Sequence, residues 1–291
     1  MTFQEILKNA ELRLKDAGIE EYKSDAWILF SHIYDMDRIE FMMNCLDYEK
    51  SNPDPLAFDR LNEAIERRIG HTPVQYITNT QNFYGYDFYV DENVLIPRQD
   101  TEVVVECVIN TLQAYMLDKK LVSIPAVLDM CTGSGCIAIT LSKELNIDNV
   151  YASDISKDAL DVAKRNNTAL NANVNFIESD LFSELNDLKN SLDAIVSNPP
   201  YIKSEVIETL DNEVRLNEPR LALDGSEDGL KFYRDIVLNA RDFLKDGGLL
   251  FFEIGYDQGQ EVSALMKENG FGDVSVVKDL AGLDRVCFGH L

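Results

Sequence analysis

From Ala126 onward, short apolar runs alternate with amphipathic ones, and this alternation restricts the fold more than any other feature of the chain. "AVLDMC", "NVYASD", "VNFIES", "LDAIVS" and "GLLFFEI" read as strands. "CIAITLSKEL", "SKDALDVAKRNNTAL" and "GLKFYRDIVLNARDFL" between them read as helices. Apolar strands alternating with helices predict a parallel, doubly wound sheet covered on both faces. The closing stretch "DVSVVKDLAGLDRVCFG" reads as two strands with a short connection, hence an antiparallel pair at one edge.

The first 72 residues differ in character and read as a small helical bundle. Thr2 and Glu5 have capping-box spacing, Phe3, Ile6, Leu7, Ala10 and Leu14 share a helical face, and Gly18 is a stop signal. "DAWILFSHIY" and "PLAFDRLNEAIERRIG", ending at Gly70, read as further helices. Residues 73–99 hold "NFYGYDFYVDENVLIPR", an expected hairpin linker, and Asp100 is the expected cap of a helix through "TEVVVECVINTLQAYM". Residues 100–291 form the expected catalytic domain.

The first strand runs into Asp129-Met130-Cys131-Thr132-Gly133-Ser134-Gly135, where the glycines let the backbone turn tightly and a ligand approach closely. Asp154 ends the next strand about 20 residues on, where a carboxylate can accept bonds from ribose hydroxyls. Gly133-x-Gly135-x-x-Ala138 also satisfies the looser dinucleotide fingerprint, so the ligand stays open at this point. Asp180 ends the third strand and reads equally as an adenine contact or a local cap. Leu181 reads as an apolar wall for a base or as core.

The fourth strand ends in Ser197-Asn198-Pro199-Pro200-Tyr201-Ile202. Two prolines fix two φ angles and hold Asn198 in extended backbone. The Asn198 side-chain oxygen and the Pro199 carbonyl are two acceptors for the two N–H groups of a planar –NH2. They can aim a poorly nucleophilic nitrogen at an electrophile, with Tyr201 packed on the flat group. No histidine or cysteine nucleophile is implied.

The net charge of −24 is spread along the chain, and "ERRIGH" is the nearest approach to a basic run. Binding dominated by phosphate contacts needs a basic face, so direct nucleic-acid binding is not expected. Five cysteines and three scattered histidines show neither zinc spacing nor a disulfide framework, so no metal and a reducing cytoplasm are expected. The N-terminal segment is unlike a signal peptide, and no apolar run approaches ~18 residues.

These motifs together strongly resemble the glutamine N5-methyltransferases of peptide-chain release factors, the HemK/PrmC family. "TPVQYI", "FYGYDFYV", "VLIPRQDTE", "LDMCTGSGCIAI", "SDIS", "SDLF", "IVSNPPYI", "EPRLALDGSEDGL" and "DRV" occur in that family's order. "NPPY" alone leaves adenine-N6 and guanine-N2 methyltransferases open; "IPRQDTE" and "EPRLALDGSEDGL" make the match specific.

The resemblance implies a five-helix N-terminal domain that recognises the release factor, a hairpin linker and a seven-stranded, Rossmann-like class I methyltransferase domain with an antiparallel last strand. It implies S-adenosylmethionine as donor, S-adenosylhomocysteine as product, and the glutamine of a Gly-Gly-Gln loop in class-1 release factors as acceptor. By position, Cys131, Thr132, Gly133, Ser134 and Gly135 would wrap the methionine part, Asp154 would bind ribose, and Asp180 with Leu181 would flank adenine. Asn198, Pro199, Pro200 and Tyr201 would hold the glutamine amide, with Asn198 also beside the cofactor. A monomer is expected. Three residues depart from the family pattern: Gln99 stands where proline is common, Ser226 where glycine is common, and Leu181 where some members have tryptophan.

The competing readings are a nucleic-acid base-amine methyltransferase, a nicotinamide-dependent oxidoreductase and a nucleotide-binding module without catalysis. The acidic balance counts against the first. The SNPPYI loop is not needed for hydride transfer, and a mere binding module leaves Asn198 unexplained.

Overall fold

The computed structural model describes residues 2–46, 56–119 and 125–291, and the chain divides into two compact units. Pro55, the first residue of an expected helix, lies outside the described residues.

The first unit is Met1–Thr80 together with Asp211–Asn217. Its helices are α1 (Phe3–Asp16), α2 (Tyr22–Tyr34), α3 (Arg38–Asn44), α4 (Ala57–Ile69) and α5 (Val74–Thr78). The capping box at Thr2 and Glu5 starts α1, and Phe3, Ile6, Ala10 and Leu14 give it a buried face. These meet Ala26, Leu29 and Phe30 of α2 and Leu61 and Ile65 of α4 in one core. Val74 of α5 packs into that core, which carries the unit past residue 72 to Thr80. Arg68 of the "ERRIGH" run is buried, with its Nε 2.6 Å from Asp25 and a second guanidinium nitrogen on Glu213. Asn217 donates to the His71 carbonyl at 2.9 Å.

The second unit is Gln81–Leu210 with Glu218–Leu291. It begins with the hairpin β1 (Gln81–Phe83) and β2 (Tyr86–Phe88), paired antiparallel around Gly85. The following helix, α6 (Gln99–Lys119), corrects the expected cap: it starts at Gln99, so Asp100 lies in the first turn, its carboxylate 3.0 Å from Arg285. Gln99 thus occupies the first helical position, where proline is well tolerated because its N–H has no helical partner. The alternating run follows as β3 (Val127–Met130), α7 (Cys136–Leu145), β4 (Val150–Asp154), α8 (Lys157–Ala169), β5 (Val174–Glu178) and β6 (Leu192–Ser197). Three short helices then come, α9 (Ser204–Ile207), α10 (Asn212–Asn217, within the first unit) and α11 (Arg220–Leu223). The chain closes with α12 (Lys231–Ala240), β7 (Leu244–Glu253), α13 (Gly259–Glu268), β8 (Gly272–Lys278) and β9 (Asp284–His290).

The seven strands run β5-β4-β3-β6-β7-β9-β8. Pairing is parallel from β5 to β7, and β9 runs antiparallel to both β7 and β8. Every residue of β3 and β6 is buried, as expected for central strands covered on both faces. Residues of α6 and α7 cover one face, and residues of α12 and α13 the other. From β3 the chain continues to β4 on one side, while β6 lies on the other. The carboxyl ends of β3 and β6 therefore form a topological switch point, where open sheets of this class bind ligands. No described helix is long and apolar enough to cross a membrane.

Candidate functional site

At that switch point a cleft of about 290 Å³ opens, lined wholly by second-unit residues. The turn after β3 forms its floor. Asp129 is fully buried below the turn, and its Oδ2 accepts from the Thr132 hydroxyl at 2.6 Å and the Ala138 amide at 3.1 Å. Burial pushes its carboxyl up to about 7, against the pull of those two bonds. Gly135 takes a left-handed φ of 81° as the cap of α7, and a Cβ there would meet Ile139 at 3.0 Å and Ala163 at 3.1 Å. That glycine lets α7 pack against α8 and does not itself line the cleft.

Asp154, at the end of β4, receives the Gly133 amide on Oδ2 and the Ser156 amide on Oδ1, both at 2.9 Å. Burial raises its carboxyl while these backbone bonds lower it. Each oxygen keeps a lone pair free for a ligand hydroxyl. At the end of β5, the Ser179 hydroxyl donates to the Leu181 carbonyl at 2.7 Å and holds Leu181 at a φ of 47°. Asp180 is exposed at the rim, and Cys131 likewise sits at positive φ, 62°. Two non-glycine residues in the left-handed region flank one cleft, a costly conformation that persists where surrounding bonds enforce it.

The loop after β6 is braced from behind. The Ser197 hydroxyl donates to the Met130 carbonyl at 2.7 Å and locks the ends of β6 and β3 together. Ile202 exchanges backbone bonds with Leu223 and Gly225, which zips the SNPPYI loop to the "EPRLALDGSEDGL" segment. A Cβ on Gly229 would lie 2.4 Å from the Tyr201 carbonyl oxygen, so only glycine permits this approach. Gln258 donates to the same Tyr201 carbonyl at 3.1 Å. Asn198 is half-buried and faces the cleft, with its Nδ2 3.5 Å from the Thr101 hydroxyl. That orientation leaves the amide oxygen as an acceptor.

Ser226 sits in the segment that braces this loop, at a φ of 76°. A serine there bears a left-handed penalty that glycine escapes. Ser226→Gly is therefore expected to stabilise the fold by about 0.5–1 kcal/mol, partly offset by the extra freedom glycine has when unfolded. Thermal unfolding checks this; an unchanged or lower melting temperature would contradict it.

Of the residues singled out from the sequence, Cys131, Thr132, Gly133, Ser134, Asp154, Asp180, Leu181, Asn198 and Pro200 line this cleft. Gly135, Pro199 and Tyr201 do not. Tyr201 turns back instead, its hydroxyl 3.3 Å from Glu253 Oε1. Burial, then the Glu253 charge, raises the Tyr201 hydroxyl well above its usual range, so it stays a donor. Burial also raises the Cys131 thiol, and the Cys136 thiol to about 12; neither is a nucleophile at neutral pH. Among the described residues, no group of His, Cys, Asp and Glu is arranged to hold a metal ion.

Sequence reasoning missed the opposite wall: Leu95, Pro97, Arg98 and Thr101 on one side, Pro219, Ala222 and Phe232 on the other. The signal was present, because these residues fall within or beside "VLIPRQDTE" and "EPRLALDGSEDGL". Arg98 joins the two strings, with its Nη2 2.5 Å from Glu218. Asn166 was also missed. From α8 it pairs with both backbone groups of Tyr89, at 2.7 and 3.0 Å, and donates to the Ser134 carbonyl at 2.9 Å. It thereby ties the approach to the "VLIPRQDTE" wall to the glycine-rich turn.

Residues 5–78 match the family model described as the PrmC N-terminal domain, and residues 111–218 match the methyltransferase small domain. The chain is 38% identical over 289 residues to the release factor glutamine methyltransferase of Clostridium acetobutylicum, spanning 98% of this chain and 97% of that one. It is 41% identical over 294 residues to the release factor glutamine methyltransferase of Moorella thermoacetica, spanning 99% and 98%. Among solved structures, the hMettl16 catalytic domain in complex with MAT2A 3'UTR hairpin 6 is similar in fold, with a TM-score of 0.54 at 14% identity over 81% of this chain and 82% of that one. This last likeness concerns the fold alone.

Proposed function

The chain belongs to the release factor glutamine methyltransferase family, and we propose that its cleft holds S-adenosylmethionine beside the glutamine of a Gly-Gly-Gln loop from a class-1 release factor, whose N5 nitrogen receives the methyl group. The residues present fit that cofactor. Asp154 keeps lone pairs for ribose hydroxyls. No atom lies within 4 Å of the place a Cβ on Gly133 would occupy, so the space above the turn is open. Cys131 to Ser134 would hold the methionine part, and Asp180 with Leu181 would flank the adenine. When bound, S-adenosylmethionine supplies an activated methyl group on sulfur.

The chain's own task is to present the nitrogen. The Asn198 side-chain oxygen accepts one amide hydrogen, and the second is assigned to the backbone carbonyl of Pro199, a buried residue between the cleft-lining Asn198 and Pro200; together they would hold the nitrogen toward the donor and favour its departure from planarity. Pro200 walls the acceptor, and Tyr201 anchors the loop from behind. The observation that carries this reading is the Asn198 amide, which spends its nitrogen on Thr101 and so offers its oxygen to the cleft. We assign to the first unit a contact with a second surface of the release factor, which raises the effective concentration of the loop. The enzyme acts as a cytoplasmic monomer in this reading.

A nucleic-acid base amine would call on the same two acceptors but also on a cationic face. Of the two adjacent arginines, Arg68 is consumed by Asp25 and Glu213. Incubation with labelled S-adenosylmethionine, a release factor and transfer RNA together tests the choice. Label on the release factor is expected; label on the RNA with an unlabelled factor would overturn it.

A further inference from the structure

The loop between β8 and β9, residues 279–283, is tied down by its own hydrogen bonds. Asp279 is buried, and its Oδ1 accepts from the amides of Ala281 and Leu283, at 2.9 and 3.0 Å. Its own amide donates to the Leu283 carbonyl at 2.8 Å, and the Gly282 amide donates to the Asp279 carbonyl at 3.0 Å. Lys278 closes the outside, with Nζ 3.1 Å from the Gly282 carbonyl and 2.8 Å from Asp284. What this fixed frame displays is apolar. Leu280 is fully exposed and Leu283 44% exposed.

The place of the loop gives that display a meaning. β9 runs antiparallel to β7, and Ile254, just past β7, donates to the Arg285 carbonyl near the start of β9. The loop therefore stands at the carboxyl edge of the parallel strands, the edge at which the cleft opens. In the strand order it lies beyond β6 and β7, on the side of the acceptor loop and away from β4 and β5, which lead to Asp154 and Asp180. Two strand spacings, about 10 Å, separate β6 from β9. Arg285 fixes the connection, with Nη2 3.1 Å from Asp279 and 3.0 Å from Asp100, the neighbour of the cleft-lining Thr101. A folded protein that delivers a side chain to Asn198 from the acceptor side meets this loop.

We propose that Leu280, with Leu283, is a docking point for the release factor and fills an apolar recess on the protein that carries the Gly-Gly-Gln loop. The proposal rests on the reading of the cleft given above, and it assigns a contact separate from that of the first unit. Charge selects this occupant over others. Lys278 and Arg285 are each paired with carboxylates, and Asp100 and Asp257 stand exposed at the same edge. A second copy of this acidic chain or an anionic lipid surface is therefore repelled. Because the loop is already fixed, it loses little freedom on docking.

Steady-state kinetics on the intact factor, and on a Gly-Gly-Gln peptide too short to reach the loop, test this. Leu280→Ser is expected to raise KM for the intact factor about 10-fold, the scale of one leucine side chain returned to water. Its kcat, and its KM for the peptide, should stay within about 2-fold of parental values. Leu280→Met keeps the apolar bulk and should hold KM for the factor within about 2-fold. Leu238→Ser changes a leucine 67% exposed near the end of α12, at the opposite edge of the sheet, and should leave every value as it was. An equal rise in KM with the peptide would overturn the proposal, because the loop would then act on the cleft itself. A Leu280→Met enzyme as impaired as Leu280→Ser would also overturn it. The unaltered enzyme separates the levels. No methyl group on the glutamine from that enzyme defeats the reading of the cleft, and the proposal with it. Methylation there, with a parental KM for the factor in Leu280→Ser, defeats the docking point alone.

Discussion

Asn198→Ala is expected to lower turnover about 10²-fold or more while leaving cofactor affinity within a few-fold. The amide is held at a strand end by two prolines, with β6 locked to β3 through Ser197 and the loop zipped to the segment around Leu223. This bracing is independent of the Asn198 side chain, so truncation removes an acceptor and leaves the cleft standing. A preorganised acceptor matters most where the substrate nitrogen leaves planarity, which is why the loss should fall on turnover. Steady-state kinetics with titration of S-adenosylhomocysteine separates the two quantities. Parental turnover would remove the two-acceptor model.

Asp154→Ala should weaken cofactor binding by about 1.5–3 kcal/mol, the scale of lost charge-assisted bonds to hydroxyls. The structure gives this substitution a second consequence. Both carboxylate oxygens already hold backbone amides, at Gly133 and Ser156, so the variant also releases the glycine-rich turn. A modest fall in melting temperature should accompany the loss of affinity. Calorimetric titration of the variant measures the effect; parental affinity would mean that the carboxylate only caps the two amides.

The central sheet was legible because strands buried on both faces are mostly apolar, and β3 and β6 carry only Asp129, Asp193 and Ser197 as polar residues. The cleft floor was legible for a related reason: Gly133, Asp154 and Asn198 all sit where a strand ends, and sequence shows where strands end. The opposite wall was not, because Thr101 meets Asn198 across 97 residues of sequence and Arg98 meets Glu218 across 120. Glu253 was hidden in the same way: a carboxylate closing an apolar strand looks like a solvated terminus until the Tyr201 hydroxyl is seen 3.3 Å from it. The partner of the Tyr201 hydroxyl was hidden too, because Glu253 lies 52 residues along the chain. The packing at Gly135 was not legible, because a glycine turn before a helix serves a ligand or a neighbouring helix, and the sequence does not show that Ala163 lies beside it. The first helix of the second unit began one residue early because Asp100 is engaged by Arg285 rather than by the helix amides.

The most direct measurement is mass spectrometry of a class-1 release factor after reaction with this enzyme and S-adenosylmethionine. One methyl group should appear on the side-chain nitrogen of the glutamine in the Gly-Gly-Gln loop, and none when that glutamine is replaced by alanine. A methyl group elsewhere on the factor, or one that persists in the alanine variant, would contradict the account.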